Sequence, residues 1–400
     1  MNMKKGLICL SIVAIVVFCT LNVATASTGS YSTTFHNNAR HTGGHIPMAR
    51  GSIPNGISKW NSVTKGILAS RATPNGIVYV GSDDGYVYAL NAATSDIKWS
   101  YKTGNQVRSS PNFTNGTVYI GSNDHNVYAL DATTGKVVWN YATGKNVESS
   151  PTVANGIVYV GSFDENVYAL DAATGAKVWS YKTNGTVFSS PTVANGIVYV
   201  GSNDHHLYAL NSTNGTYVWS YPTGSIVYSS PTVDNGTVYV GSGVSIYAIY
   251  AKNGKEVWSY TTGKPVWSSP TVANGIVYVG SDDFNVYAIY ATNGTEVWSY
   301  KASGKDAKVF SSPNVTNGIV YVGSDNNNVY AIYATNGTMK WSYATGSKVQ
   351  SSPNVTNGIV YVGSNDSNVY ALDAATGAKV WSYTTDGRVI SGPTVANGIG

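Results

Sequence analysis

Apolar and polar positions alternate along this chain in short runs that recur in a fixed order. The stretch beginning at Ser149, SSPTVANGIVYVGSFDENVYALDAATGAKVWSYKTNGTV, shows one full unit. Four segments rich in Val, Ile, Tyr and Trp are separated by Asn-Gly, by an acidic or amidic cluster, and by Thr-Gly or Asn-Gly, the turn signals of successive hairpins. The pattern predicts strand A (SSPTV), strand B (IVYVGS), strand C (NVYALD) and strand D (KVWSY). Strand B is apolar on both faces, as a strand is when neighbours cover both sides of its sheet.

Setting the Gly-Ser pairs in register, at Gly81, Gly121, Gly161, Gly201, Gly241, Gly280, Gly323 and Gly363, gives eight copies spaced by 40 residues, with one interval of 39 and one of 43. A single four-stranded sheet cannot bury its own faces, whereas eight arranged radially bury them all. The expected fold is therefore all-β: an eight-bladed β-propeller of four-stranded antiparallel blades over residues 58–400, after a leader at 27–57. SKWNSV around Trp60 reads as an isolated strand D, and the final SGPTVANGIG reads as a strand A with the start of a B. That leaves nine D strands for eight C strands, and the stop at Gly400 reads as a truncated or cropped copy.

Nine of the ten Trp fall in the strand D slot, and Trp267 alone lies elsewhere. ALDATTGKVVW (Ala129 to Trp139), ALDAATGAKVW (Ala169 to Trp179) and ALDAATGAKVW (Ala371 to Trp381) match the tryptophan-docking motif A-x-D-x-x-T-G-x-x-x-W. The Trp-Asp pair that ends the blades of WD-type propellers is missing. The chain thus resembles the PQQ-like β-propeller repeat family, which includes quinoprotein alcohol dehydrogenases and the BamB-type outer-membrane assembly factor. The resemblance implies docking roles for Trp99, Trp139, Trp179, Trp219, Trp258, Trp298, Trp341 and Trp381. The leader FHNNARHTGG (Phe35 to Gly44) is similar to the short segment that precedes such repeats in secreted members. In a BamB-type ring an N-terminal strand D would complete the last blade, yet Trp381 already supplies one there. Tyr250, Tyr290 and Tyr333 replace the motif Asp, which removes a carboxylate from three C–D turns and is expected to weaken them.

Composition narrows the class further. Charged residues are 11% of the chain, which together with abundant Gly, Asn, Ser, Thr and Tyr favours a compact, turn-rich β protein over a disordered or coiled-coil one. Met1 to Ser27 carries two lysines, an apolar run and small residues, the arrangement of a secretory signal over residues 1–26, so the mature chain is expected outside the cytoplasm, secreted or at the cell surface. Without Lys4 and Lys5 the formal net charge is +2, too small to imply a nucleic-acid partner. No later segment is apolar for long enough to span a membrane. Cys9 and Cys19 both lie in the signal, so neither a disulfide nor thiol chemistry is expected in the mature chain. Phe18 stands where a lipid-anchor site at Cys19 would want a small residue.

Candidate chemistry is sparse. The quinoprotein dehydrogenases of the family that this chain resembles hold calcium through Glu, Asn and Asp, use a catalytic Asp, and commonly set a vicinal disulfide against the quinone. The disulfide is impossible here, and no Glu, Asn and Asp set stands apart from the repeat. The SDDG, SNDHN and SNDHH clusters lack calcium-loop spacing and read as solvated hairpin tips. His36, His41 and His45 match no standard metal spacing. There is no phosphate-binding G-x-x-x-x-G-K-[ST] loop, no G-x-S-x-G elbow and no H-E-x-x-H, so no cofactor, metal or catalytic group is expected. Sequons at Asn112, Asn115, Asn184, Asn211, Asn214, Asn235, Asn293, Asn314, Asn336, Asn354 and Asn365 mostly coincide with turns and would be glycan acceptors in a glycosylating host.

One column does not repeat. The residue before each Ser-Ser-Pro or its counterpart is Leu68, Arg108, Glu148, Phe188, Tyr228, Trp267, Phe310, Gln350 and Ile390, whereas its N-terminal neighbour is nearly always Val or Ile. Strand A is the innermost strand of a blade, so this column is expected to ring one mouth of the channel, joined there by the B–C tip residues His125, Phe163, His205, His206 and Phe284. Arg108, Glu148, Phe188, Tyr228, Trp267, Phe310 and Gln350 are thus the candidate ligand-binding residues, since aromatics mixed with Arg, Glu and Gln compose a recognition surface. Strand parity, which the sequence leaves open, also allows these side chains to plug the channel or pack between blades. The function expected is a non-catalytic, exported or cell-surface scaffold that binds a protein, peptide or glycan at this mouth. The alternatives are a quinone-dependent dehydrogenase and a purely structural surface repeat.

Overall fold

The structure, a computed structural model, describes residues 76–397. The signal, the leader with its three His, the Trp60 strand and Leu68 lie outside the described residues. Eight antiparallel sheets of four strands form the blades of a β-propeller. No helix among the described residues is long and apolar enough to cross a membrane.

One blade shows how the sequence builds all eight. Its strands are A (Thr152–Ala154), B (Ile157–Gly161), C (Asn166–Asp171) and D (Lys177–Lys182). Asn155 and Gly156 join A to B with φ of 51° and 76°, the paired left-handed conformations of a tight hairpin turn, which Asn and Gly tolerate best. C meets D through a register shift between Ala169 and Leu170, and the same shift recurs in every blade. Strand A is shorter than the sequence implies, because the Ser-Ser-Pro ahead of it is spent on another task. Ser149 Oγ accepts from Gly161 N at 2.9 Å, while Ser150 N donates to Ser190 Oγ of the next blade at 2.9 Å.

The ring closes inside one sheet. Thr394–Asn397 serves as the innermost strand of the blade whose B, C and D strands are Gly76–Gly81, Tyr86–Asn91 and Ile97–Lys102, pairing Ile77 with Ala396 and Val78 with Val395. The terminal strand A is thereby used, and the described residues hold eight strands of each kind. The surplus D strand expected at Trp60 falls outside them. Numbered from this closing blade, the A strands of blades 2 to 8 begin at Asn112, Thr152, Thr192, Thr232, Thr271, Asn314 and Asn354.

Eight apolar clusters fill the eight interfaces between blades. Trp179 of blade 3 lies at one such interface, with Nε1 donating to the Ser212 carbonyl of blade 4 at 2.9 Å; the Tyr159 hydroxyl donates to the same carbonyl at 3.0 Å. A Cβ on Gly215 would stand 2.7 Å from the Trp179 ring, so only glycine lets the turn settle on the indole. Trp99, Trp139, Trp219, Trp258, Trp298 and Trp341 bond the next blade's turn in the same way, and Trp381 reaches the Ala92 carbonyl of blade 1.

The turns at Tyr250, Tyr290 and Tyr333 keep the common turn geometry without the carboxylate bonds. In the common form Asp131 Oδ1 accepts from the amides of Thr133 and Thr134. Where Tyr replaces Asp, the backbone bond closing the turn persists (Gly254 N to Tyr250 O, 2.9 Å), and Asn253, in the place of Thr134, accepts from Lys255 N at 3.1 Å. Asn293 and Asn336 do the same.

Candidate functional site

Parity at the start of strand A is set by one close contact. Val107 packs on Gly81 so tightly that a Cβ there would lie 2.4 Å from its Cγ1, and Val147, Val187, Val227, Val266, Val309, Val349 and Val389 repeat the contact at the successive Gly-Ser pairs. With each Val turned into the blade interface, the next side chain turns the other way. Arg108, Glu148, Phe188, Tyr228, Trp267, Phe310, Gln350 and Ile390 all line one cavity of about 630 Å³, together with Asp282 and Lys308. All seven candidate residues meet there, each half-buried, and Ile390 supplies the eighth position.

The lining divides into two arcs. Phe163 and Phe188 have ring centroids 4.4 Å apart, Phe188 meets Tyr228 edge-on at 4.6 Å, Tyr228 meets Trp267 edge-on at 4.7 Å, and Trp267 lies parallel to Phe310 at 6.2 Å. Edge-to-face contacts of this kind stabilise a pair by about 0.5–1.5 kcal/mol beyond its buried area and hold the rings in place. The other arc is polar. Arg108 Nε bonds Asp83 Oδ1 at 3.0 Å and Nη1 bonds Glu148 Oε1 at 3.3 Å, while Asn123 Nδ2 donates to the same Oε1 at 3.0 Å. Burial works against the Arg108 charge, but its bond to Asp83 and the charges of Asp83 and Glu148 outweigh it and raise its pKa.

Between the arcs, Trp267 Nε1 donates to Asp282 Oδ2 at 3.1 Å, with Lys308 Nζ 3.6 Å from the same oxygen. Burial pushes the Asp282 pKa upward against the opposing effects of Trp267 and Lys308, and the nearby charge of Asp325 adds to the rise.

The tip residues named from the sequence mostly lie elsewhere. Phe163 joins the aromatic arc through Phe188. His125, His205 and Phe284 occupy the left-handed position of the B–C turn (φ 76°, 74° and 81°) and do not line the cavity. His206, at the start of strand C, bonds the Asp204 carbonyl with Nδ1, and Phe284 lies under Lys264. The acidic tips are not free solvated loops either. Asp124 Oδ2 accepts from the Tyr128 hydroxyl at 2.7 Å and from the Gly104 amide at 2.6 Å, clasping strand C to the linker that follows strand D. Burial raises its pKa, but the bonds from Tyr128, Gly104 and Asn126 prevail and hold it below the usual aspartate value; Asp164 and Asp283 behave alike.

Sequence reasoning missed the first residue of each tip and the third residue before each Ser-Ser or its counterpart. These meet through the backbone, with Asp83 N donating to Arg388 O, Asp325 N to Lys308 O and Asn365 N to Lys348 O at 2.8–2.9 Å. The signal was available, because the column Gln106, Asn146, Thr186, Ile226, Pro265, Lys308, Lys348 and Arg388 also fails to repeat.

Comparison with known proteins agrees with this geometry. Residues 49–152 and 311–398 match the family model described as outer membrane protein assembly factor BamB, and residues 131–318 match that of the β-propeller of β-alanine-activating enzyme. Among solved structures, BamB from Moraxella catarrhalis is 19% identical with a TM-score of 0.62, the match covering 74% of this chain and 91% of that one. A europium-containing methanol dehydrogenase is 16% identical (TM-score 0.63, 74% and 81% covered), and quinohemoprotein alcohol dehydrogenase from Comamonas testosteroni 19% identical (TM-score 0.63, 72% and 68% covered). Among curated proteins no sequence matches this chain. At these identities the likeness to solved structures is one of fold.

Proposed function

The chain is a PQQ-like β-propeller repeat protein, and from that premise we propose that it is a non-catalytic scaffold, working outside the cytoplasm, that binds its ligand at one mouth of the propeller channel. A single observation carries the reading. The residues that recur in every blade are consumed by turns, interfaces and clasps, and of the two columns that vary, the one directly before each Ser-Ser or its counterpart lines the 630 Å³ cavity. Concave, largely apolar pockets of this size with a few placed polar groups are the usual form of a ligand site. The match to an outer-membrane assembly factor supports both a scaffold role and an extracytoplasmic place, as does the signal-like stretch from Met1 to Ser27.

The dehydrogenase neighbours raise the second reading, and the residues at the mouth fit it poorly. Glu148 is tied to Arg108 and Asn123, and Asp282 to Trp267 and Lys308. Among the described residues no group of three or more His, Cys, Asp or Glu is placed to hold a metal ion. A calcium-held quinone would have to displace Arg108 from Glu148 or Lys308 from Asp282.

Two assays test the proposal. The purified chain incubated with PQQ and calcium should reduce dye with alcohols and sugars no faster than a heat-denatured control; clear turnover would establish the dehydrogenase reading instead. The immobilised chain should retain a ligand from its host's surface fraction, and a Tyr228→Ala, Trp267→Ala, Phe310→Ala triple variant that melts like the parent should lose it.

A further inference from the structure

The mouth carries four cations and four carboxylates, and they are already matched with one another. Arg108 pairs with Asp83 and Glu148, Arg388 Nη2 with Asp83 Oδ2 at 2.7 Å, Lys308 with Asp282, and Lys348 Nζ with Asp325 Oδ2 at 3.0 Å. An ionic ligand would meet charges that already balance, so its attraction to one group is opposed by that group's partner.

Backbone recognition is closed off as well. The inner strands would offer free edges to an extended peptide, but the second Ser of each Ser-Ser-Pro takes up the amide of the preceding blade. The Oγ atoms of Ser150, Ser190, Ser230, Ser269, Ser312 and Ser352 accept in turn from the amides of Ser110, Ser150, Ser190, Ser230, Ser269 and Ser312, each at 2.9 Å. Gly392 N then returns the belt to Ser110 Oγ at 2.8 Å. Strand addition, one way to hold an extended peptide, finds these seven amides taken, and only Ser352, which faces Gly392, lacks a serine Oγ in the belt.

What remains is a fixed aromatic arc facing planar groups with unused valence. Both bonds that Glu148 accepts fall on Oε1, and those of Arg108 use Nε and Nη1, leaving Oε2 and Nη2 of two cavity-lining residues without a partner among the described residues. Gln350 accepts from Asn365 through Oε1, leaving its Nε2 donor. Carboxylate, guanidinium and amide are two-point groups whose geometry suits neighbouring hydroxyls. A pyranose ring has the matching two-sided chemistry, an apolar C–H face and a rim of uncharged hydroxyls.

Resting on the mouth-binding reading above, we infer that the mouth takes the end of an uncharged oligosaccharide. Its C–H faces lie against Phe188, Tyr228, Trp267 and Phe310, and its hydroxyls meet Arg108, Glu148 and Gln350.

The test is calorimetric titration of the full chain with neutral trisaccharides spanning α- and β-linked hexoses and N-acetylhexosamines (maltotriose, cellotriose, chitotriose), with trigalacturonate as the acidic counterpart and an apolar tripeptide as the peptide counterpart. At least one neutral sugar should bind, trigalacturonate should bind at least tenfold more weakly, and Trp267→Ala should weaken the neutral sugar about tenfold or more without lowering the melting temperature. Glu148→Gln, which releases Arg108 from one of its carboxylates, should narrow the gap between the acidic and neutral sugars. A panel without a neutral binder, or a preference for trigalacturonate or the tripeptide, overturns the inference. If in that case the aromatic triple variant still loses the host ligand, mouth binding stands and only the sugar assignment falls; if it keeps that ligand, both fall.

Discussion

Trp267 donates its indole N–H to Asp282 Oδ2 at 3.1 Å within its own blade, whereas each of the other described Trp donates to a backbone carbonyl of the following blade. One residue type thus does two jobs, and they separate by mutation. Trp179→Ala removes a buried ring and the bond to Ser212, and should cost about 3–5 kcal/mol. Trp267→Ala removes a half-buried ring whose place is taken in other blades by Arg108 or Gln350, and should change the unfolding midpoint little while abolishing ligand retention. Denaturant melts of the two variants decide the matter; a Trp267 variant as unstable as the Trp179 one would make Trp267 a packing residue.

Two glycines with the same backbone conformation isolate the docking contact. Gly156 (φ +76°) has nothing within 4 Å of a Cβ, whereas at Gly175 (φ +72°) a Cβ would meet the Trp139 ring at 2.7 Å. Gly156→Ala should cost about 1–2 kcal/mol, from the left-handed conformation alone. Gly175→Ala adds displacement of the indole and should lose clearly more, with the excess vanishing in a Trp139→Ala background. Equal losses in chemical denaturation would show that the indole does not press on the turn.

Acid should undo the clasps at the blade tips. The pKa of Asp124, Asp164 and Asp283 is lowered in the folded chain because the bonds from a tyrosine hydroxyl and from backbone amides outweigh burial. A carboxyl with a depressed folded pKa stabilises fully above its unfolded value, roughly 3.9, and loses that contribution as pH falls through the lower folded one. Unfolding free energy should therefore hold steady above about pH 5 and decline steeply below about pH 4. Tyr128→Phe deletes one bond to Asp124 and should flatten that decline, measured by urea melts across pH 3–6; an unchanged slope would remove the clasp from the account.

The fold was legible because each recurring residue answers one local demand. Asn155-Gly156 needs left-handed turns, Gly161 needs room for Val187, and Gly175 needs room for Trp139. The site was legible as its complement, the column that no such demand fixes. Two features hid. The direction of that column follows from the Val–Gly contact between segments about 26 residues apart, as at Val107 and Gly81, and the sequence carries no sign of the contact distance. The partners Asp83, Asp282, Lys308 and Arg388 sit in turns whose Asp and Asn content looks like ordinary turn chemistry, and only the fold shows which turn position faces the cavity.

Closure is the place where equal burial should have unequal consequences. Val193 and Val395 sit at the same point of strand A, 7% and 6% exposed, and pair with Val198 and Val78. Val193 is tied to its partner strand by the two-residue turn Asn195-Gly196, so a strand loosened there stays close and can return. Val395 is joined to Gly76–Gly81 by no such turn, only by pairing across the whole ring, so once released its strand must close a far longer loop to come back. Val395→Asp should therefore open the ring, exposing the Gly76–Gly81 edge to exchange and to pairing with other chains. Val193→Asp, with the same buried charge, should leave cooperative unfolding largely intact. Hydrogen exchange at Val78 and Val80, followed with size-exclusion chromatography, tells them apart. If both variants exchange and elute alike, the terminal strand is not what holds the propeller shut.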